Sequence, residues 1–263
     1  MNAFAWLARE ALADALRRRI AAAVVVAALV SVAMLESCTG CTPSITTNGE
    51  VHELSELAGP AGLGTFVVIG LWLIALAGVL AADHLRSTLE DGSALLSLAR
   101  PISRESFALA RLAGVLGLAW GAGLVVLGAA AGLLAVRSGL PLLPALLAGL
   151  ACALGCVAVS ALAMTASLAL PRAATLLFVL FGVWLTGFAN GVGAFGVAGG
   201  WLGTLDRVGP PLASSMALAL APWLGPEVGI AGDPVRVFAR LAVWAIAAVL
   251  ALAYAFRRVE LRG

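Results

Sequence analysis

LLPALLAGLACALGCVAVSALAMTASLAL, residues 142–170, contains no Asp, Glu, Lys, Arg or His. It exceeds the ~20 apolar residues with which a helix crosses the ~30 Å hydrocarbon core of a bilayer. Four comparable runs lie around it: Leu63–Ala82, Leu112–Val136, Ala174–Gly200 and Val237–Phe256. A shorter one, Ile20–Leu35, follows Arg17, Arg18 and Arg19, whose stems can snorkel to lengthen it. The 263-residue chain is 62% hydrophobic, against ~45–50% in soluble domains. Only 11% is charged, where ~25% is usual, and mean hydropathy is +1.05. The fold class expected is therefore an all-α integral membrane protein with six transmembrane helices, forming a single domain over 1–263. Net charge is +2, which gives no footing for a nucleic-acid partner.

Charge orients the spans. The N-terminal segment carries Arg9, Arg17, Arg18 and Arg19. Residues 83–111 carry Arg86, Arg100, Arg104 and Arg111. Arg172 joins spans four and five, and Arg257, Arg258 and Arg262 follow span six. The opposite side holds only Arg137, Arg207, Arg236 and Arg240, and residues 36–62 carry Glu36, Glu50, Glu53 and Glu56 without a Lys or Arg. The positive-inside rule makes both termini and the 83–111 loop cytoplasmic, and the 36–62 loop external. Residues 3–19 read as an interfacial helix, because Phe4, Leu7, Ala8, Ala11, Leu12 and Ala15 share one side at 100° per residue. Trp6 falls on its polar side.

The span interiors exclude several chemistries. Spans two to five hold no ionisable carboxylate or base, and Asn190 is their one strongly polar side chain. A secondary transporter built on buried carboxylates has no support, nor has an intramembrane hydrolase: Ser160, Thr165 and Ser167 lack a base in the bilayer. All 16 basic residues are Arg, so a P-loop, which needs Lys, is excluded. Small residues dominate instead. On span three Gly114, Gly117, Gly121, Gly128 and Gly132 fall within ~60° of one another, a smooth face for close helix approach. Packing within the chain, a subunit interface and a pathway lining are all compatible with it.

Cys38 and Cys41 form C-T-G-C in the external loop. In an oxidising compartment they fit a small-loop disulfide, incidental thiols, or metal capture with His52 and nearby Glu residues. Cys152 and Cys156 share one face of span four, where cysteine packs as a small hydrophobe or lines a path for a soft metal.

The 83–111 loop is the most informative segment. Gly92-Ser93 can cap a short apolar helix over Ala94–Ala99, which Pro101 stops. Ser103 can cap the next helix, with Ser106 at its third position. A Leu-rich helix held at the membrane surface suits docking to a cytosolic partner.

The run E-D-G-S-A-L-L-S-L-A-R-P-I-S-R, residues 90–104, resembles the signature of type-2 ABC exporter permeases. Phe107 and Leu109 match the hydrophobic stretch that follows it there, while the family's Gly-Lys pair stands here as Ala110-Arg111. Ala8-Arg9-Glu10, Asp14 and Arg17–Arg19 resemble the family's N-terminus, and the six-span layout is similar to the branch grouped with multicopper-enzyme and nitrous-oxide-reductase maturation permeases.

The resemblance implies a dimeric exporter permease in the bacterial inner membrane, not itself an enzyme. A separate ABC ATPase subunit would bind the ATP and Mg, and this chain no cofactor. Glu90, Gly92, Ser93, Leu95, Leu96, Arg100, Pro101, Ser103 and Arg104 would couple the chain to that ATPase, with 92–99 as the coupling helix. Gly117, Gly121, Gly128 and Gly132 would then form a packing, dimer or pathway face. The resemblance also implies external re-entrant helices over 201–236, a region apolar for a loop and broken by Pro210, Pro211, Pro222, Pro226 and Pro234. The alternative expectation is a non-transporting membrane scaffold that recruits a cytosolic partner through 83–111.

Overall fold

The computed structural model describes residues 3–17, 45–47, 50–52, 54–90, 103–196, 199–224, 230 and 232–258. The expected first span, Cys38, Cys41, and Gly92, Ser93, Leu95, Leu96, Arg100 and Pro101 lie outside the described residues. The elements are α1 (Ala3–Arg17), β1 (Ile45–Thr47), β2 (Glu50–His52), α2 (Leu54–Glu90), α3 (Arg104–Ser138), α4 (Leu142–Ser167), α5 (Arg172–Ala194), α6 (Gly200–Val208), α7 (Leu212–Leu220), a 3₁₀ turn (Ala221–Trp223) and α8 (Pro234–Arg258). α2 to α5 and α8 are each long and apolar enough to cross a membrane, so the chain is a multi-pass helical membrane protein.

The helix boundaries revise the sequence expectations. α2 runs from Leu54, inside the expected 36–62 loop, through Glu90, and α3 begins at Arg104. The expected 83–111 loop is therefore helical at both flanks, because ionisable residues that end an apolar run do not end a helix. Ser103 caps α3 as expected: its Oγ accepts the Ser106 N–H at 3.2 Å. At the other end of α3, Gly139 takes φ +65°, and its N–H returns to the Ala135 carbonyl. The 36–62 region also holds an antiparallel ribbon, with Thr47 opposite Glu50 and Ile45 opposite His52.

α2 is the central helix. Its most apolar stretch is 67% buried, against 22% for α8. The outer helices thus turn much of their surface to the bilayer: Leu124 and Val125 on α3, Leu146 on α4 and Phe181 on α5 are all exposed. Small residues set the close approaches. A Cβ on Gly78 of α2 would stand 2.7 Å from Val179 of α5 and 2.8 Å from Val159 of α4. One on Gly114 of α3 would stand 2.5 Å from the Ala11 side chain, which is how α1 docks. Leu7 and Ala11 of α1 are buried and Trp6 is exposed, as the expected amphipathic face requires, but Phe4, expected on the apolar face, is exposed because it lies at the open first turn of the helix.

Residues 200–223 form two short helices, α6 and α7, followed by the 3₁₀ turn. All nine residues of α7 are buried among α2, α4, α5 and α8. Burying a broken helix inside protein is the condition under which irregular backbone is tolerated at membrane depth. Trp223 fastens its end: the indole N–H donates to the Pro141 carbonyl at 3.0 Å, and the ring meets Phe66 edge-on.

Candidate functional site

Three regions of the helical body carry polar or open features, and the first brackets residues 91–102. Glu90 is the last residue of α2, Ser103 the cap of α3 and Arg104 its first residue, so three of the nine candidate coupling residues stand at the two edges of that segment. Their neighbours tie the edges to other helices. Arg86 donates through Nε to Glu90 at 2.7 Å and through Nη1 to the Leu170 carbonyl at 2.6 Å, just beyond α4. Asp83 of α2 pairs with Arg172 at the start of α5. Arg111 of α3 donates to His84 Nε2 of α2 at 3.3 Å and lies over the Phe107 ring. Glu105 of α3 pairs with Arg257 in the last turn of α8.

Asp83, His84 and Arg111 are buried, and ionisable groups are costly to bury unless partnered. Their partners lie on α5 and across α2 and α3, while Arg86 and Glu105 tie the same edges to Leu170 after α4 and to α8. The sequence placed these residues in one loop; the structure instead makes them the rim from which the segment emerges.

The second region is the glycine face of α3. Gly114 and Gly117 lie under α1, the latter with Leu12 at 3.7 Å. Among the described residues, nothing stands within 4 Å of where a Cβ would sit on Gly121, Gly128 or Gly132. The packing-within-the-chain reading thus holds for the α1 end alone among the described residues. Beyond it, α3 and α4 border an open groove of about 400 Å³, with Trp120, Gly123, Gly128, Gly149, Cys152 and Cys156 in its wall. The Trp120 indole crosses that groove to donate to the Ala153 carbonyl at 3.2 Å.

The third region is at the opposite end of the helices from the rim. Asn190 of α5 is fully buried and donates through Nδ2 to Asp206 Oδ1 of α6 at 2.7 Å. Arg240 of α8 donates through Nη2 to the Asp206 carbonyl at 2.6 Å. A Cβ on Gly193 would be 2.5 Å from Asp206 Oδ2, so the absence of a side chain there lets the carboxylate in. Asn190 Oδ1 and Arg240 Nε have no hydrogen-bond partner among the described residues. Asp206 thereby pins α6 between two membrane helices. Sequence reasoning isolated Asn190 as an oddity but missed its partner. The available signal was Asp206, the one carboxylate of the apolar stretch 201–223, together with an arginine in the first turns of the last span.

Among the described residues no three His, Cys, Asp or Glu side chains come together as a metal site of those donors. Cys152 and Cys156 are free thiols, buried on α4. Comparison with known proteins returned no matching family model and no similar curated sequence.

Proposed function

We propose that the chain is the membrane-spanning permease subunit of an ATP-driven ABC exporter, working in the bacterial cytoplasmic membrane with a separate ATPase subunit. The observation that carries this reading is the run 90–104, E-D-G-S-A-L-L-S-L-A-R-P-I-S-R, together with its position between two long apolar helices. A coupling element has to be held at the membrane surface and joined mechanically to the spans. The Asp83–Arg172, Arg86–Leu170, His84–Arg111 and Glu105–Arg257 contacts at its edges supply such joints.

In this reading residues 92–99 dock in a cleft of the ATPase, whose closure on ATP moves α2 and α3. The rim passes that motion to α4, α5 and α8, with the N- and C-terminal segments on the same cytoplasmic side. ATP and Mg are bound by the partner, consistent with a chain that has no Lys for a P-loop. The open glycine face of α3 is where a second permease copy approaches.

The test is ATP turnover of the assembled complex in liposomes. Gly92→Pro and Arg104→Glu are expected to abolish transport-linked turnover while the membrane dimer survives. Unchanged turnover in both variants refutes the coupling role of this segment.

A further inference from the structure

Three arginines around the rim are each matched by a carboxylate: Arg86 by Glu90, Arg172 by Asp83 and Arg257 by Glu105. Arg258, exposed in the last turn of α8, is different. Among the described residues no carboxylate pairs with it, and its guanidinium carbon stands 4.6 Å from the centre of the Tyr254 ring. A ring face orients a guanidinium at a surface but does not neutralise it. The turn that carries Arg258 is held in place. Leu252 and Phe256 are fully buried, and the Phe256 ring lies 5.9 Å from that of Phe107 on α3. The outward side of α8 leads to the same arginine. Val243, Ile246, Leu250 and Tyr254 are all more than half exposed, and with Arg258 they fall within ~120° of one another at the α-helical period. From Val243 to Tyr254 the helix rises ~17 Å, close to the ~15 Å of half a hydrocarbon core. The apolar stripe is thus one leaflet deep, with Tyr254 at the depth where aromatic rings meet the headgroups and Arg258 beyond it.

We propose that this side of α8 seats one anionic phospholipid, an acyl chain along Val243, Ile246 and Leu250 and the headgroup phosphate on Arg258. Charge selects the occupant. The Arg258 guanidinium offers a planar fork of donors that matches a phosphate, and its positive charge has no counter-anion among the described residues. A zwitterionic headgroup brings an ammonium of its own, which the arginine repels, whereas an anionic one brings none. The Tyr254 hydroxyl supplies a second donor at the same depth. Arg257, one residue away, is excluded from the role because Glu105 already neutralises it.

The experiment uses the full chain purified in a neutral detergent. Phosphatidylglycerol or phosphatidylcholine of equal chain length is added, and bound lipid is counted by native mass spectrometry. For the first lipid bound we expect phosphatidylglycerol to be preferred by ~5-fold, the weight of one arginine facing an anionic headgroup. Arg258→Gln should remove that preference and Arg258→Lys should keep it. Tyr254→Leu should weaken phosphatidylglycerol binding by less than Arg258→Gln does. Arg137→Gln, at the far end of α3, changes net charge equally and should leave the preference intact. An excess of inorganic phosphate should not displace the lipid, because the acyl chain holds it on the stripe.

A preference that survives Arg258→Gln, or that falls equally in Arg137→Gln, overturns the proposal. Displacement by inorganic phosphate refutes a lipid seat in favour of a free-anion site. A photoactivatable phosphatidylglycerol cross-linked to the unmodified chain needs no variant. Cross-links within residues 243–258 support the seat, and cross-links confined to other helices refute it. Lipid binding is read on the isolated chain, so its failure leaves the permease reading untouched.

Discussion

Replacing Asp206 with Leu removes the carboxylate that pins α6 to α5, while the bond from Arg240 of α8 to the backbone carbonyl remains. Asn190 then keeps a buried Nδ2 without an acceptor, in addition to an Oδ1 already without a donor among the described residues. Leaving a buried polar group unmade costs ~1–3 kcal/mol. Asn190→Leu removes the same bond from the other side and leaves Asp206 with the Arg240 guanidinium on its backbone carbonyl. The interaction itself is measured by the double-mutant cycle. Cross-helix hydrogen bonds in membranes average ~0.6 kcal/mol and reach ~1.7. This one is 2.7 Å long, with a carboxylate as acceptor, so its coupling should lie in the upper half of that range.

The assay is equilibrium unfolding in mixed micelles with rising denaturing detergent, followed by tryptophan fluorescence. Both single variants are expected to lose ~1–3 kcal/mol, and the double variant less than their sum by ~1–1.7. Asp206→Asn, which retains an acceptor at the same place, should lose about half as much as Asp206→Leu. Additivity of Asn190→Leu and Asp206→Leu to within ~0.5 kcal/mol refutes the reasoning.

Two further outcomes follow from the glycines. Gly78→Leu forces a side chain between Val159 and Val179, and should lower stability by ~1–3 kcal/mol or abolish the folded yield, read by size-exclusion profile and thermal unfolding. Gly128→Leu meets no described residue within 4 Å, so the chain's own stability should hold while cross-linking of two copies in the membrane falls. A loss of stability as large as that of Gly78→Leu would show that the Gly128 face is filled.

How far the sequence could be read depended on which interactions are local. Five expected spans match helices α2 to α5 and α8, since apolar length is all a bilayer asks of them. The Ser103 cap was legible because its partner is three residues away. The ends of α2 and α3 were not, since hydropathy falls at Asp83 and rises again after Arg111 while helix propensity does not. The β1–β2 ribbon was missed although Asn48-Gly49 between Thr47 and Glu50 is a strong hairpin signal.

The remaining misses are contacts made across the fold. Nothing in the period of α5 announces that Asn190 will meet Asp206, which comes from a different helix. The glycine stripe of α3 has one composition along its length, yet Gly114 is pressed on Ala11 while Gly128 has no described residue against it. Only the placement of α1 distinguishes them. Met216 carried no local signal at all. Its contact with Gly70 arises because α7 is folded back into the body.

The central claim is that a separate ATPase drives this chain through residues 90–104. The direct measurement is purification of the tagged chain from its native membrane in mild detergent, with co-purifying proteins identified and quantified by mass spectrometry. The account predicts a near-stoichiometric protein bearing a P-loop and an ABC signature, lost when Gly92→Pro and Arg104→Glu are introduced. Recovery of the chain alone, or with a cytosolic protein of another kind, contradicts it.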